Sequence, residues 1–261
     1  MEYFEKIEKN KYKDLYWNVP EEQKRGELAV VGGNAGNFRV PVKTAEYLLK
    51  EFPLKTVRVV LPEALKTKLP PIPDAVFLKD VAGGSIADTD GLLKALSSVD
   101  FSMIVGDLSK NSVTAETVGK VVKEVKKPVL VTRDAVDLVA SEKLDQILMR
   151  EGLILVGSLV QMQKILKTIY YPKMLLASQS LVQVVEVFHK FTLSYPVQIV
   201  TMHEGQIIVS AAGKVVAVPL VKTPYSVLTI WNGEMAARIS CLNLYNPGKF
   251  IEATVAAIIG K

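Results

Sequence analysis

A short apolar run that ends in a glycine-rich turn constrains the fold of this chain more than any other feature. Residues 28–31 read Leu-Ala-Val-Val and pass into Gly-Gly-Asn-Ala-Gly at residues 32–36, and an amphipathic pattern follows at residues 42–50. A buried strand, a tight turn and a helix in this order are the unit of open α/β sheets. Because ligands of such sheets bind outside the carboxyl ends of the strands, we expect a ligand at this turn.

Size and charge limit the class of protein. The chain has 261 residues, of which 49% are hydrophobic and 23% charged, so one α/β domain over residues 1–261 can bury a full core. The formal net charge of +5 comes from lysines spread along the chain, and no arginine-rich block predicts a nucleic-acid partner. The single cysteine, Cys241, indicates a reducing compartment. No apolar run reaches the roughly 20 residues of a membrane span, so we expect a cytoplasmic protein with no membrane partner.

Strand and helix patterns alternate through most of the chain. This alternation predicts an α/β fold with a mostly parallel, doubly wound sheet and helices on both faces. The predicted strands are residues 28–31, 56–61, 75–78, 101–105, 128–132, 153–156 and 197–201. The predicted helices are residues 40–52, 88–98, 115–125, 141–149, 160–169, 180–191, 233–244 and 249–259. We expect an antiparallel hairpin of residues 206–210 and 214–219 to end the sheet at one edge.

The segment of residues 1–23 mixes aromatic side chains with many charges. This mixture is compatible with an amphipathic helix followed by a packing segment. Such a segment can pack on its own domain or on a sister subunit. Together with the aliphatic helix faces, it favours a homo-oligomer.

A loop over residues 223–232 leads into the helix predicted from Gly233. The free amides of a helix N-terminus favour an anion, and Asn232 and Gly233 are small or turn-prone enough for a phosphate to approach. Glu234 lies one step into the helix, where a carboxylate could act as a base. The alternative is that Asn232 is an N-cap and that Glu234 complements the helix dipole.

Other classes of site find no support in the sequence. His189 lies in an apolar helical pattern and His203 in a turn, and two isolated histidines do not predict a zinc site. The glycines of residues 32–36 lack the spacing of a dinucleotide fingerprint, and no serine stands in a nucleophile elbow. We therefore expect no protein-ligated metal, no dehydrogenase site and no hydrolase triad.

The order of these segments resembles the ribokinase-like superfamily and, within it, the ADP/ATP-dependent NAD(P)H-hydrate dehydratase family. Residues 24–41 resemble the leading HKG..G..L.IGGS..Y.GAP segment of that family, and residues 105–109 resemble its GPGLG turn. Residues 128–136 are similar to its P.V.DADAL strand end, and residues 229–237 to its T.GSGD.LAG anion hole. The resemblance extends over nearly the whole chain from about Lys24, by order and spacing more than by identity.

The resemblance implies a reaction and a set of site residues. Thr229, Asn232 and Gly233 would bind the phosphate of ATP or ADP, with Mg²⁺ bridging it, and Glu234 would be the acid–base residue. An NAD(P)H-hydrate-like substrate would be phosphorylated on its hydrate hydroxyl and would then lose phosphate. The residues implied on the substrate side are Gly33, Asn34, Asn37, Arg39 and Asp134.

Several elements of the family pattern are absent from this chain. The stretch that corresponds to LTPH.GE, residues 155–161, has no proline, histidine or glutamate, and Trp231 replaces the first glycine of the anion hole. Glu234 is one methylene longer than the family's aspartate, and catalysis can be sensitive to displacements of about 1 Å. Two interpretations therefore stay open: a nucleotide-dependent enzyme, and a catalytically silent relative that acts as a binding or assembly module.

Overall fold

The computed structural model describes residues 2–7, 11–21, 23–81, 83–140, 143–226 and 231–260. The strands are β1 (Phe4–Lys6), β2 (Glu27–Val31), β3 (Thr56–Pro62), β4 (Ala75–Leu78), β5 (Asp80–Val81), β6 (Ser85–Ile86), β7 (Phe101–Ile104), β8 (Val129–Thr132), β9 (Leu153–Val156), β10 (Gln198–His203), β11 (Gln206–Ala211) and β12 (Lys214–Pro219). The helices are α1 (Arg39–Glu51), α2 (Thr89–Ser97), α3 (Ser112–Glu124), α4 (Asp134–Val139), α5 (Leu144–Leu148), α6 (Leu159–Thr168), α7 (Leu181–Ser194), α8 (Glu234–Tyr245) and α9 (Phe250–Ile259). Short 3-10 helices cover Lys13–Asn18 (η1), Glu63–Leu65 (η2) and Leu220–Lys222 (η3).

Within these residues, ten strands form one sheet in the order β1-β12-β11-β10-β9-β8-β7-β2-β3-β4. The strands from β10 through β9, β8, β7, β2 and β3 to β4 all run parallel. β11 pairs antiparallel with both β10 and β12, while β5 and β6 form a small separate antiparallel pair. The predicted doubly wound α/β fold, with its hairpin of β11 and β12, is confirmed.

Helices cover both faces of the sheet and create two separate cores. Buried side chains of α1, α8 and α9 form one core with β2 residues such as Val30. Buried side chains of α2 to α7 form the other core, into which the neighbouring Val31 points. Because both faces are buried, the central strands are apolar at most positions, as in Leu153–Val156 of β9, instead of alternating regularly with polar residues.

The segment of residues 1–23 differs from the amphipathic helix that its composition predicts. β1 pairs in parallel with β12, with Phe4 opposite Val215, and thereby covers backbone groups that β12 would otherwise leave open. η1 places Leu15 and Tyr16 in the core of α8 and α9. The segment thus packs on its own chain, and the predicted hairpin lies one strand inside the sheet edge.

The helix predicted over residues 141–149 is also placed differently. Ser141 and Glu142 lie outside the described residues, and α5 covers only Leu144–Leu148. A second short helix, α4, begins at Asp134 directly after β8. The chain therefore changes from strand to helix at a single residue, Arg133, with no loop between them.

The last helix, α9, is apolar on nearly every side. Of its ten residues, only Phe250 and Glu252 are more than marginally exposed, because α8, η1 and the strands β11 and β12 surround it. A helix that is hydrophobic all round is a core helix when the protein encloses it in this way. Across the described ranges, no helix has the length and apolar character that crossing a bilayer requires.

The packing of α7 gives a test of the fold. Phe188 is fully buried in the core that α7 shares with the sheet, so Phe188→Ala should lower the free energy of unfolding by about 3–5 kcal/mol. Val182→Ala on the same helix, where the side chain is 46% exposed, should change it by about 0.5 kcal/mol. Urea denaturation measures both. Equal losses would contradict the orientation of α7.

Candidate functional site

Two turns and the strand-to-helix junction at Arg133 meet at the carboxyl ends of β2, β7 and β8, which are neighbours in the sheet. The turn after β2 is fixed to the turn after β7 by two hydrogen bonds. The amide of Gly33 donates to the carbonyl of Gly106 over 3.0 Å, and the side-chain amide of Asn34 donates to the carbonyl of Asp107 over 2.6 Å. The predicted ligand turn is therefore held against its neighbour by its own glycine and asparagine.

A carboxylate of the protein occupies the amides of the turn after β7. Asp134 Oδ1 accepts a hydrogen bond from the Asp107 amide over 2.9 Å, and Oδ2 accepts one from the Leu108 amide over 3.2 Å. Burial raises the pKa of Asp134, while the backbone hydrogen bonds oppose this shift. The side chain predicted to line a substrate pocket thus binds where an external anion would have to bind in this turn.

Gly106 is required by this arrangement. Its φ is +85°, a conformation that side chains rarely adopt, and a Cβ atom there would lie 1.9 Å from Asp134 Oδ1. Any side chain at this position would therefore both strain the backbone and displace the carboxylate.

An arginine links the turn after β7 to the segment before α8. Arg133 Nη2 lies 3.2 Å from Asp107 Oδ1, and Arg133 Nη1 donates to the carbonyl of Trp231 over 3.1 Å. The Asp107 carboxylate is buried and also accepts the amide of Val40, at the start of α1, over 3.3 Å. We call these contacts of Arg133 with Asp107 and Trp231 the Arg133 clasp.

The backbone of Arg133 is strained. Its φ of 57° and ψ of −139° are rarely populated except by glycine, which costs on the order of 1–3 kcal/mol. Gln161 compensates in part, since its side-chain amide donates to the carbonyl of Arg133 over 2.7 Å and to Asp137 over 3.0 Å. Arg133 Nε is buried and has no hydrogen-bond partner in the described part of the chain.

The segment before α8 is brought to the same place. Gly233 has a φ of +101°, and a Cβ atom there would lie 2.8 Å from the hydroxyl of Thr44 on α1. Asn232 Oδ1 accepts the amide of Glu234 over 3.1 Å, as expected for a capping turn. The Glu234 side chain is exposed and has no hydrogen bond or ion pair with any described residue. Thr229 lies outside the described residues.

The remaining predicted residues lie on α1 and the turn before it. Asn34 Oδ1 accepts the amides of Gly36 and Asn37, which closes the turn. Asn37 and Arg39 are exposed and line an open cavity of about 410 Å³ together with residues of α1 such as Glu46. Asn37 and Arg39 therefore face solvent, while the Asn34 side chain holds the turn closed.

Sequence reasoning missed two residues of the site, Arg133 and Asp107. Both have positive φ, at 57° and 56°, which no composition pattern signals. A charged pair between two apolar strand ends is the one available hint, since Asp107 and Arg133 each directly follow a buried run. In the described ranges, no group of three or more histidine, cysteine, aspartate and glutamate side chains could hold a metal ion.

Comparison with known proteins gives matches in structure only. No model of a protein family matches the chain, and no curated protein matches its sequence. A hypothetical protein from Streptococcus mutans superposes with a TM-score of 0.64 at 16% identity, over 94% of this chain and 84% of that one. A ribokinase-like superfamily protein from Enterococcus faecalis has a TM-score of 0.64 at 13% identity, over 99% and 86%.

An enzyme is also among the similar structures. The ADP/ATP-dependent NAD(P)H-hydrate dehydratase of Bacillus subtilis, co-crystallised with ATP and Mg²⁺, has a TM-score of 0.61 at 12% identity, over 96% of this chain and 86% of that one. The fold is therefore ribokinase-like. At these identities the likeness concerns the fold alone.

The glycine at the centre of the site gives a test of its geometry. Gly106→Ala should lower the free energy of unfolding by about 2 kcal/mol or more, because it strains the backbone and breaks the hydrogen bonds of Asp134. Gly119→Ala is the matched control, since it lies in α3 with only an ordinary contact to Ile147. It should be neutral or stabilising by up to about 1 kcal/mol. Thermal denaturation compares the two, and an unaffected Gly106→Ala would contradict the described turn.

Proposed function

We propose that this chain binds a nucleotide in the cleft between the Arg133 clasp and the start of α8. The observation that carries the proposal is the contact of Arg133 with both Asp107 and the carbonyl of Trp231. It brings together the turn after β7, the end of β8 and the segment that leads into α8. A cleft at the carboxyl ends of parallel strands is the usual ligand site of an open α/β sheet.

The chemistry of the cleft fits a phosphate on the side of α8. The first amides of α8 lie at the positive end of the helix dipole, and Asn232 caps that of Glu234. The guanidinium of Arg133 adds a planar set of donors, one of which, Nε, has no partner in the described residues. Gly233 carries no side chain over these amides. The phosphate of ATP or ADP would therefore lie between α8 and Arg133.

Mg²⁺ would enter with the nucleotide. The carboxylates of Asp107 and Asp134 are already hydrogen-bonded within the protein, so neither is free to take a cation. Glu234 is the carboxylate of the cleft that stays unpaired among the described residues. Mg²⁺ usually keeps several water molecules and binds the phosphates of the substrate, so phosphate oxygens and water would hold it, and the Glu234 carboxylate would stay free to accept a proton.

For an active enzyme, the reaction we propose is repair of hydrated NAD(P)H. Glu234 is exposed beside the phosphate position and would take the proton of the hydrate hydroxyl as it is phosphorylated. Loss of phosphate then restores the dinucleotide. Asn37 and Arg39 line the neighbouring cavity of about 410 Å³, where the cationic side chain would meet an anionic group of the substrate.

A second function, that of a catalytically silent binding module, is favoured by a specific observation. The amides of Asp107 and Leu108 are both taken by Asp134, so these two amides of the turn after β7 cannot bind a second phosphate or a transferring phosphoryl group. A protein of this kind would bind a nucleotide without turning it over.

Nucleotide binding is tested by thermal unfolding with ATP, ADP or AMP and Mg²⁺. A ligand of the native state at about 100 times its dissociation constant adds about 2.7 kcal/mol, which should raise the melting temperature by about 5–10 °C. The double variant Arg133→Met with Asp107→Asn should lose most of this shift, because it removes the guanidinium without leaving a buried carboxylate unpaired.

The control is Lys94→Met on the exposed face of α2, which removes one positive charge elsewhere. It should keep the full shift. A shift that survives in the double variant would refute binding at the clasp.

Glu234→Gln should bind nucleotide as the wild type does. If the wild type restores NAD(P)H and Glu234→Gln does not, the enzyme is supported. If neither the wild type nor Glu234→Gln restores NAD(P)H, the silent module is supported.

The predicted homo-oligomer and the cytoplasmic location stay predictions. Light scattering on the purified chain measures the mass in solution and tests the first of them.

A further inference from the structure

A second cavity lies at the opposite end of the sheet from the cleft. Its volume is about 460 Å³, and its lining residues are Trp17, Asn18, Arg25, Tyr245, Asn246, Pro247 and Lys249. Arg25 comes just before β2, at the amino end of the strand whose carboxyl end reaches the cleft. The two sites are therefore separated by the length of the sheet.

The indole of Trp17 is the least explained side chain at this cavity. Trp17 is 88% exposed, while its neighbours Leu15 and Tyr16 on η1 are buried. A large aromatic surface left in water loses the free energy that its burial would provide. An aromatic ring beside a cavity is suited to stack on another flat ring.

Two cations without acidic partners flank the same cavity. Arg25 and Lys249 are exposed, and neither forms an ion pair with any described residue. Asp14 of η1 and Glu252 of α9, acidic residues on the surrounding elements, do not pair with them either. The cavity therefore presents uncompensated positive charge to solvent.

The floor of the cavity is preorganised. The side-chain amide of Asn246 donates to the carbonyl of Leu242 over 2.8 Å, and its Oδ1 accepts from Asn18 over 2.5 Å. The hydroxyl of Tyr245 donates to the carbonyl of Arg25 over 3.0 Å, and the Arg25 guanidinium lies 6.0 Å from the Tyr245 ring centre. The Tyr245 contacts hold Arg25 beside the Tyr245 ring before any ligand binds.

We infer that this cavity binds a nucleoside monophosphate, with its base stacked on Trp17 and its phosphate on Arg25 and Lys249. Such a molecule has a flat ring that can stack on the exposed indole of Trp17 and an anion that can pair with Arg25 and Lys249. Apart from Trp17 and Pro247, every lining residue carries a polar group, whereas the centre of a protein interface is usually depleted of charge. The inference is independent of the proposed nucleotide cleft at α8.

The two tryptophans of the chain, Trp17 and Trp231, allow the two sites to be read separately. In Trp231→Phe, Trp17 is the sole tryptophan, and AMP should quench its fluorescence along a saturating curve. Adenosine and ribose 5-phosphate each offer only half of the ligand and should bind at least about tenfold more weakly. In Trp17→Phe, the remaining tryptophan reports on the cleft, so failure at one site is not failure at the other.

Charge variants complete the test. Arg25→Met and Lys249→Met should each weaken AMP binding by about fivefold to tenfold, whereas Lys94→Met should leave it unchanged. Both sites of substitution are exposed, so folding is preserved. The inference is overturned if AMP does not quench the fluorescence of Trp231→Phe. It is also overturned if Arg25→Met and Lys249→Met bind AMP as tightly as the chain without these substitutions. It is also overturned if quenching grows with protein concentration and a doubled mass appears, because a second copy would then cover Trp17.

Discussion

The arrangement of the site depends on the carboxylate of Asp134, which binds the two amides of the turn after β7. This internal anion fixes the path of residues 106–109 and requires glycine at position 106. It also places Asp107 where its own carboxylate is buried and needs a cation. Arg133 supplies that cation. Because Arg133 is also the residue that joins β8 to α4, it does so from a strained backbone conformation. The partly buried Asp134 thus determines the positions of the groups around it.

The strain at Arg133 is balanced by contacts from three directions. Gln161 holds its carbonyl, Asp107 holds one end of its guanidinium, and the carbonyl of Trp231 holds the other. Strained residues persist where surrounding structure over-determines them, and such places are often functional sites. Here the contact with the carbonyl of Trp231 reaches the segment that leads into α8. The position of Trp231 and the conformation of the Arg133 side chain are therefore coupled.

The fold could be predicted from the sequence because it is encoded locally. Alternating apolar strands and amphipathic helices, such as residues 28–31 followed by α1, indicate their own type and imply a doubly wound sheet. The clasp could not be predicted in this way, because it joins Asp107, Arg133 and Trp231, which are far apart in sequence. Asp107 and Arg133 also adopt positive φ, which carries no periodic signal. The amphipathic helix predicted for residues 1–23 was wrong for a related reason. Mixed aromatic and charged residues suit an edge strand as well as a helix, and only the pairing of β1 with β12 decides between the two.

Charge decides what the cleft can accept. Two carboxylates, Asp107 and Asp134, face one guanidinium, and the Glu234 carboxylate adds a further negative charge at the mouth. A polyphosphate approaching these groups is repelled unless a cation accompanies it or the α8 amides and Arg133 outweigh the acids. The raised pKa of Asp134 is in keeping with this excess of negative charge, because burial and the carboxylate of Asp107 both favour its neutral form. A nucleotide in the proposed cleft would therefore need Mg²⁺ on its own phosphates, because the cation offsets part of their negative charge.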